Sequence, residues 1–305
     1  MNKVLLVILG PTAVGKTQAA IEVAEHLSVP IINADSRQIY RELPIGTAAP
    51  TLEERKRVEH YFVGTKALED YYSASLFQQD ATQLMKSHLF READVAVMSG
   101  GSMMYIDAVC NGIDEIPTIN DEIRSTLKRR YEEEGLQALL EELQEKDEEY
   151  YNIVDRKNPR RVIHALEVCL QTGNTYTSYR KKNNTEEKHK RDFDIIKIGL
   201  NLPREVLFDR INRRTEKMIE EGFINEAKTL YPQRGLNALN TVGYKEMFSY
   251  FDGNMTLSDT ISRIQKNTRV YAKKQLTWFK KDESIKWCLP QEALTLAQAE
   301  LNRIR

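Results

Sequence analysis

The residues best equipped for chemistry stand near the start of the chain, in the run Gly10-Pro11-Thr12-Ala13-Val14-Gly15-Lys16-Thr17. This is a GxxxxGK[ST] phosphate-binding loop: the glycines let successive backbone N–H groups curl toward phosphate oxygens, Lys16 adds a point charge, and Thr17 offers a hydroxyl to Mg2+. A nucleoside triphosphate is the usual ligand of such a cradle. A diphosphate on another carrier satisfies the same charge and oxygen geometry. Further on, Asn33-Ala34-Asp35-Ser36-Arg37-Gln38-Ile39-Tyr40 places a carboxylate, Asp35, just after an apolar segment. There it could take a proton from a hydroxyl or an amine, hold a metal through water, or merely cap a helix.

Positioning these groups requires strands and helices in a particular order. Apolar runs at 4–9, 30–33, 95–98 and 195–200 read as buried parallel strands, the third followed by Ser99-Gly100-Gly101-Ser102. Helical patterns lie between them, as at 76–90. After Thr17, Ala20, Ala24 and Leu27 share one face, which sets the loop at a helix N-terminus. The expected fold is α/β, a P-loop NTPase-like doubly wound parallel sheet with an inserted all-helical subdomain, and ligands gather at the carboxyl ends of such strands. Residues 1–113 and 191–305 form the expected core domain and 114–190 the insertion.

Within the insertion, Asn158 is placed to cap a helix that has Pro159 at its first position and Gly173 beyond its end, with Val162, Ile163, Leu166 and Leu170 on the buried side. Arg160 and Arg161 fall in its first turn, where cations oppose the helix dipole and an anion would compensate. Residues 203–230 read as a helical region broken at Gly222, with Arg210 and Arg214 four apart on one face. A last helix at 262–281 carries Lys266, Arg269, Lys273 and Lys280 on one stripe, and Ile264, Tyr271 and Trp278 on another, where the two aromatics are expected in the core.

The 305 residues carry a net charge of only −1, but the charges are segregated. Positions 121–149 hold eleven acids and five bases, whereas 263–281 hold seven Lys/Arg and no acid, a candidate track for nucleic-acid phosphates. Three scattered cysteines without a CxxC pair suggest neither a disulfide framework nor a zinc site, and the five histidines have no metal-binding spacing. The apolar run at 4–9 is too short to span a membrane, so a cytoplasmic protein with no membrane partner is expected.

Taken in order, the phosphate loop, Asp35-Ser36-Arg37-Gln38-Ile39-Tyr40, Gly46-Thr47-Ala48, Gly100-Gly101-Ser102, Pro159-Arg160-Arg161, Thr241-Val242-Gly243-Tyr244-Lys245 and Lys274-Gln275-Leu276-Thr277-Trp278-Phe279 resemble the bacterial-type tRNA dimethylallyltransferases, also called tRNA isopentenyltransferases. The resemblance spans nearly the whole chain. It implies transfer of a dimethylallyl group from dimethylallyl diphosphate to the N6 amine of the adenosine 3′ to the anticodon, with the base flipped out of its stack. Gly10 through Thr17 would bind the diphosphate, with Mg2+ on Thr17. Lys16, Thr12, Thr17 and Arg214 would spread the charge of the leaving group, and Asp35 would aim the amine and take its proton. The tRNA anticodon stem-loop would be gripped by Asp35, Ser36, Arg37, Gln38, Ser102, Arg124, Pro159, Arg160, Arg161, Val162, Ile163, Asn240, Thr241, Val242, Gly243, Tyr244, Lys245, Lys273 and Lys280, by a monomeric enzyme. The acidic run at 132–149 would face solvent.

Three positions depart from the family pattern. Ala49 replaces a lysine in Gly46-Thr47-Ala48-Ala49-Pro50, and Met103-Met104 replaces Gly-Leu, which would reshape the prenyl pocket. The rival readings are a small-molecule kinase using ATP, an enzyme prenylating free adenine nucleotides, and a non-enzymatic nucleotide-gated RNA-binding protein.

Overall fold

The computed structural model describes residues 3–113, 116, 119–182 and 192–304. The chain forms two compact units, Met1–Cys110 with Arg191–Arg305, and Asn111–Lys190.

The first unit is built on a six-stranded, all-parallel sheet: β1 (Lys3–Leu9), β2 (Ile31–Ala34), β3 (His60–Tyr61), β4 (Val95–Gly100), β5 (Phe193–Leu200) and β6 (Lys286–Cys288), in the order β3-β2-β4-β1-β5-β6. Because β1, β2 and β4 are covered on both faces, their central residues form continuous apolar runs rather than alternating, with the polar Asn33 and Ser99 near the carboxyl ends. All four expected strands are present, within a residue or two at most ends. The two edge strands were not anticipated. At two and three residues, and only partly buried, they are too short to carry a periodicity.

In chain order the helices of this unit begin with α1 (Lys16–Leu27), α2 (Leu52–Arg57) and α3 (Ala74–Leu84), which runs through a π turn at Met85–Leu89 into α4 (Phe90–Glu92) and is followed by α5 (Met103–Asn111). On one face of the sheet Leu6, Ile8, Ile31 and Val97 pack with Ala20, Ala24 and Ile21 of α1. On the other, Leu5, Val7, Ile32 and Met98 meet Phe77 and Met85 together with Tyr105 and Ile106 of α5.

The second unit holds α6 (Asp121–Lys146), α7 (Glu148–Ile153), α8 (Pro159–Thr172) and α9 (Tyr176–Lys182), and no strand among its described residues. Asn158 caps α8, with Pro159 at its start and Gly173 in the left-handed region at φ 69° after its end. Val162, Ala165 and Leu166 pack against Leu127, Leu139 and Leu143 of α6. Leu170, expected on that buried face, is instead exposed. The acidic run is mostly exposed, with one exception. Asp147 is buried and accepts hydrogen bonds from the N–H groups of Tyr150 and Thr177 and from the Thr177 hydroxyl, closing α7 against α9.

The chain then returns to the first unit with α10 (Arg204–Glu220), α11 (Phe223–Leu230), α12 (Tyr244–Phe251), α13 (Leu257–Phe279) and α14 (Ala293–Ile304). The expected break falls at Gly222, whose φ of 101° suits glycine alone. The helix expected to be last, α13, is followed by β6 and α14, and α14 covers α1 through Ala293, Ala297 and Leu301.

Two strands approach most closely at Gly100, where a Cβ would lie 2.1 Å from the backbone oxygen of Ala34, its register partner in β2. Replacing Gly100 by Ala would force β2 and β4 apart at the end that carries Asp35. We expect Gly100→Ala to lose about 1–3 kcal/mol or more of stability, read as the midpoint of urea unfolding. An unchanged midpoint would show that the strands absorb the methyl group.

Candidate active site

The phosphate loop leaves β1 through Gly10, at φ 151°, and a Cβ there would sit 2.6 Å from the carbonyl oxygen of Leu200. Ala13 takes a left-handed φ of 63°, and Gly15 opens α1 at φ 107° with no side-chain cap. The first-turn N–H groups of a twelve-residue helix thus point into the loop without a side-chain partner at the cap, an arrangement that favours an anion. Arg210 Nη1 donates to the Val14 carbonyl at 2.9 Å, holding the outside of the loop from α10. Lys16 Nζ donates to the Pro11 carbonyl at 2.8 Å.

Asp35 follows β2. One of its oxygens, Oδ1, accepts from the N–H groups of Arg37 at 2.9 Å and Gln38 at 3.3 Å, so the capping role considered for it is real. Oδ2 has no hydrogen-bond partner among the described residues. The neighbouring turn is tied to the Gly100-Gly101 segment, since Ser36 N–H donates to Ser102 Oγ at 2.8 Å and Ser102 N–H donates to the Ala34 carbonyl. On the other side, Glu226 accepts from the N–H groups of Ile45 and Gly46 at 2.8 Å and from the Tyr244 hydroxyl at 2.6 Å. Glu246, itself buried, accepts from Gly243 N–H and from Asn267 of α13. These carboxylates hold the segment around Gly46 and the 240–245 segment in place.

Three cavities converge on this region. One of about 410 Å3 is lined by Thr12, Ala13, Gly15, Lys16 and Thr17 of the loop, with Asn33, Ser99, Gly100, Gly101, Arg210 and Gln275 around it. A second, of about 340 Å3, is lined by Ser36, Arg37, Ser102, Asn240, Thr241, Val242, Gly243 and Lys245. Both are also lined by Thr12, Asp35, Thr47, Arg214 and Tyr271. A third, of about 550 Å3 and mostly apolar, meets the first at Thr17, Gln38, Ala48 and Arg214, and extends past Pro44, Ile45 and Leu52.

Charge is concentrated where the first two cavities meet. Withdrawal from solvent pushes the Lys16 ammonium down to about 8, against an opposing pull from Asp35 and with a further push from Arg214. The Arg214 guanidinium is likewise lowered by burial, partly offset by Asp35, and its Nε is buried without a hydrogen-bond partner. Two cations therefore face one carboxylate. A multiply charged anion between them supplies the missing negative charge and the missing acceptor.

Most of the residues singled out from sequence come together here, but not all. Gly10 and Val14 support the loop from behind and are buried, while Tyr244 is wholly buried in a core cluster with Phe223 and Met247, so its side chain is structural rather than RNA-facing. The Gln38 amide is committed to the carbonyls of Thr47 and Ala48, and one Arg37 nitrogen donates to the carbonyl of Asn237. Lys273 on α13 and Lys280, just past its end, are exposed outside the cavity walls, Lys273 lying 5.5 Å from the Phe208 ring. Tyr271 and Trp278 are not core residues: they remain 37% and 36% exposed, Tyr271 lines both polar cavities, and Trp278 donates to Asp107. Met103 and Met104 line none of the three cavities, whereas Ala49 lines the third.

In the second unit, Arg160 and Arg161 are exposed at the start of α8 and Pro159 and Ile163 are partly buried. Val162 is fully buried, so its side chain serves the core of that unit instead of an RNA contact. Arg124 is ion-paired with Glu167 at 3.4 Å and Asp121 at 3.8 Å.

Sequence reasoning passed over Gln275. It is 1% exposed and bonded both to the phosphate loop and to the Gly100-Gly101 turn. Its signal was there to be read: Gln275 falls in the helical series Ile264, Thr268, Ala272, Phe279, a polar amide on the buried face of an amphipathic helix.

Residues 38–282 match the family model described as IPP transferase. The chain belongs to the IPP transferase family. It is 53% identical to tRNA dimethylallyltransferase 1 of Phocaeicola vulgatus, with 98% of each chain covered, and 52% identical to the protein of that name from Bacteroides fragilis, with 98% and 99% covered. Among solved structures it is similar to the full-length tRNA isopentenylpyrophosphate transferase of Bacillus halodurans, with a TM-score of 0.70, 34% identity, and 99% and 98% of the two chains covered. A eukaryotic dimethylallyltransferase captured acting on tRNA shares the fold at a TM-score of 0.77 and 24% identity, with 91% of this chain and 70% of that one covered.

Between pH 8 and 10.5 the folded protein binds fewer protons at Lys16 than the unfolded chain does, so the cost of burying the ammonium is full below pH 8 and fades as pH rises through that window. Lys16→Met is therefore expected to stabilise the ligand-free protein at pH 7 by about 1–3 kcal/mol. The gain should shrink toward pH 10. Denaturant unfolding at pH 7, 8, 9 and 10 checks both statements, and a variant less stable than wild type at pH 7 contradicts them.

Proposed function

We propose that the protein transfers a dimethylallyl group from dimethylallyl diphosphate to the N6 amine of the adenosine 3′-adjacent to the anticodon in tRNA, releasing diphosphate. As a member of its family it is a tRNA dimethylallyltransferase, a prenyltransferase rather than a kinase. The observation that carries the residue-level reading is the shared wall: the cavity of the phosphate loop and the cavity of the 240–245 segment are both bounded by Asp35 and Arg214. A diphosphate in the first and a flipped adenine in the second bring donor and acceptor to the same carboxylate.

The chemistry then divides among this chain's own groups. As the allylic C–O bond breaks, its electron pair leaves with the diphosphate, and Lys16, Arg214, the loop N–H groups and the Thr12 hydroxyl meet the developing charge. The N6 nitrogen forms the new bond to the allylic carbon, and Oδ2 of Asp35 takes the proton that the amine gives up. Thr17, in the first turn of α1, supplies a hydroxyl oxygen that would hold Mg2+ in the loop cavity, while the buried Asn33 amide nitrogen in the same cavity has no protein partner and is free to donate to a diphosphate oxygen. Such an ion would neutralise the leaving group.

The flipped base requires a hold on the surrounding RNA. Exposed Lys273 on α13, Lys280 just past its end, Lys245, and Arg160 and Arg161 on α8 are suited to phosphates. The first turn of α8, which holds Arg160 and Arg161, carries no acidic side chain.

Asp35→Asn preserves an acceptor for the Arg37 and Gln38 N–H groups but removes the base. Turnover is expected to fall at least about a hundredfold, with tRNA affinity little changed. The readout is the mass of tRNA nucleosides after incubation with dimethylallyl diphosphate; wild-type turnover in the variant removes Asp35 from the mechanism, and a gain of phosphate from ATP by any acceptor supports the kinase reading instead. Changing Lys273 and Lys280 together to Ala should weaken tRNA binding and flatten its salt dependence. An unaltered slope assigns them to ordinary solvated surface.

A further inference from the structure

We propose that Gln275 is a positioning residue for the transfer step, acting through Thr12 of the phosphate loop. This rests on the reading that the loop holds the departing diphosphate. The Gln275 carboxamide is almost completely buried and makes one bond in each direction. Its Oε1 accepts from the Thr12 N–H at 2.8 Å, and its Nε2 donates to the Gly101 carbonyl at 2.8 Å. The fit is close on both sides: a Cβ at Gly101 would stand 2.6 Å from Gln275 Nε2 and 3.4 Å from Lys16 Nζ. A side chain at 101 would displace the amide from this position.

The consequence falls on Thr12. In a loop of this type the peptide N–H groups are the expected phosphate donors. Here the Thr12 N–H is committed to Gln275, and the one donor this residue retains for a ligand is its hydroxyl. Thr12 lines both the loop cavity and the cavity bounded by the 240–245 segment, so that hydroxyl belongs to the region where the C–O bond breaks. Gln275 thus selects which of the two donors of Thr12 serves the reaction. It also fastens the loop to the Gly100-Gly101 turn, whose next residue, Ser102, holds the segment beginning at Asp35. One buried amide sets the spacing between the element that receives the leaving group and the element that receives the proton.

The carboxamide polarity matters as well as its shape. Methionine at 275 keeps the length and loses both bonds. Glutamate keeps the acceptor for Thr12 but turns a charged oxygen toward the Gly101 carbonyl, and regains a donor only when protonated. A hydroxyl needed mainly for developing charge shows its loss in kcat, not in KM.

The experiment uses the full-length protein with tRNA and dimethylallyl diphosphate, assayed well below the melting temperature of each variant. Gln275→Met is expected to lower kcat on the order of tenfold or more, with KM for both substrates within about threefold of wild type. Thr12→Val, which removes the hydroxyl and keeps the N–H, should lower kcat comparably, and the double variant should be no slower than the slower single one, because both changes disable the same donor. Gln275→Glu should recover toward wild type as pH falls, each rate being taken relative to wild type at the same pH, while Gln275→Met shows no such recovery. If Gln275→Met does not fold, the Gln275→Glu pH series alone decides. A lowered melting temperature with unchanged kcat, losses in the double variant that multiply, or a pH-independent Gln275→Glu would overturn the proposal. Failure of the underlying reading looks different: wild-type protein itself would form no prenylated adenosine.

Discussion

Two cations drawn out of water beside a single carboxylate govern this molecule. Lys16 and Arg214 each have their charge disfavoured by burial, Arg214 adds to the shift of Lys16, and the Asp35 carboxylate opposes both shifts. Folding places them there at a cost, since desolvated like charges destabilise the ligand-free state. In the proposed reaction a diphosphate would reverse that balance, and its negative charge would grow as the allylic bond breaks, so the same pair of cations would be best satisfied late. The carboxylate has the complementary problem. It must stay near the cations and still keep one oxygen open, which the Arg37 and Gln38 N–H groups achieve by engaging only Oδ1.

Holding three charges this close leaves little room for side chains, and the surrounding backbone is built accordingly. Gly10 lies against the Leu200 carbonyl, Gly100 against that of Ala34, and Gly101 against the Gln275 amide. At each place a methyl group would meet a neighbour inside normal contact distance. The parallel sheet brings the carboxyl ends of β1, β2, β4 and β5 into register, and these glycines let the segments that follow approach one another. Farther out, the half-buried Glu226 and the buried Glu246 bind backbone N–H groups, fixing the segment around Gly46 and the 240–245 segment as walls. The core cluster of Phe223, Tyr244 and Met247 stands behind both.

The helical unit is organised by a different principle. Its core is a small apolar cluster between α6, α7 and α8, pinned by the buried Asp147, and its charges lie mostly outside. Arg130 is shared by Glu134 and Glu142, and Arg124 by Glu167 and Asp121. Arg160 and Arg161 are not among these pairs and stand exposed at a helix start, where the dipole is unfavourable to them.

Local sequence alone determined the phosphate loop, the four central strands, the Asn158 cap with Pro159 and Gly173, and the break at Gly222. Each follows from residue type within a few neighbours: glycines at positive φ, apolar runs buried on both faces, a side-chain oxygen accepting a first-turn N–H. The ordered motifs likewise pointed to the chemistry before any geometry was known. Only tertiary structure could decide the rest, because it depends on residues far apart in the chain. The edge strands β3 and β6 exist through pairing with β2 and β5, not through any pattern of their own. Leu170 turned out to be exposed, Tyr244 core and Tyr271 a cavity wall, since helical spacing gives a face but not what that face meets. Gln275 and Thr12 are separated by most of the chain, and their hydrogen bond, like the shared wall at Asp35 and Arg214, comes into being when α13 and α10 pack against the sheet.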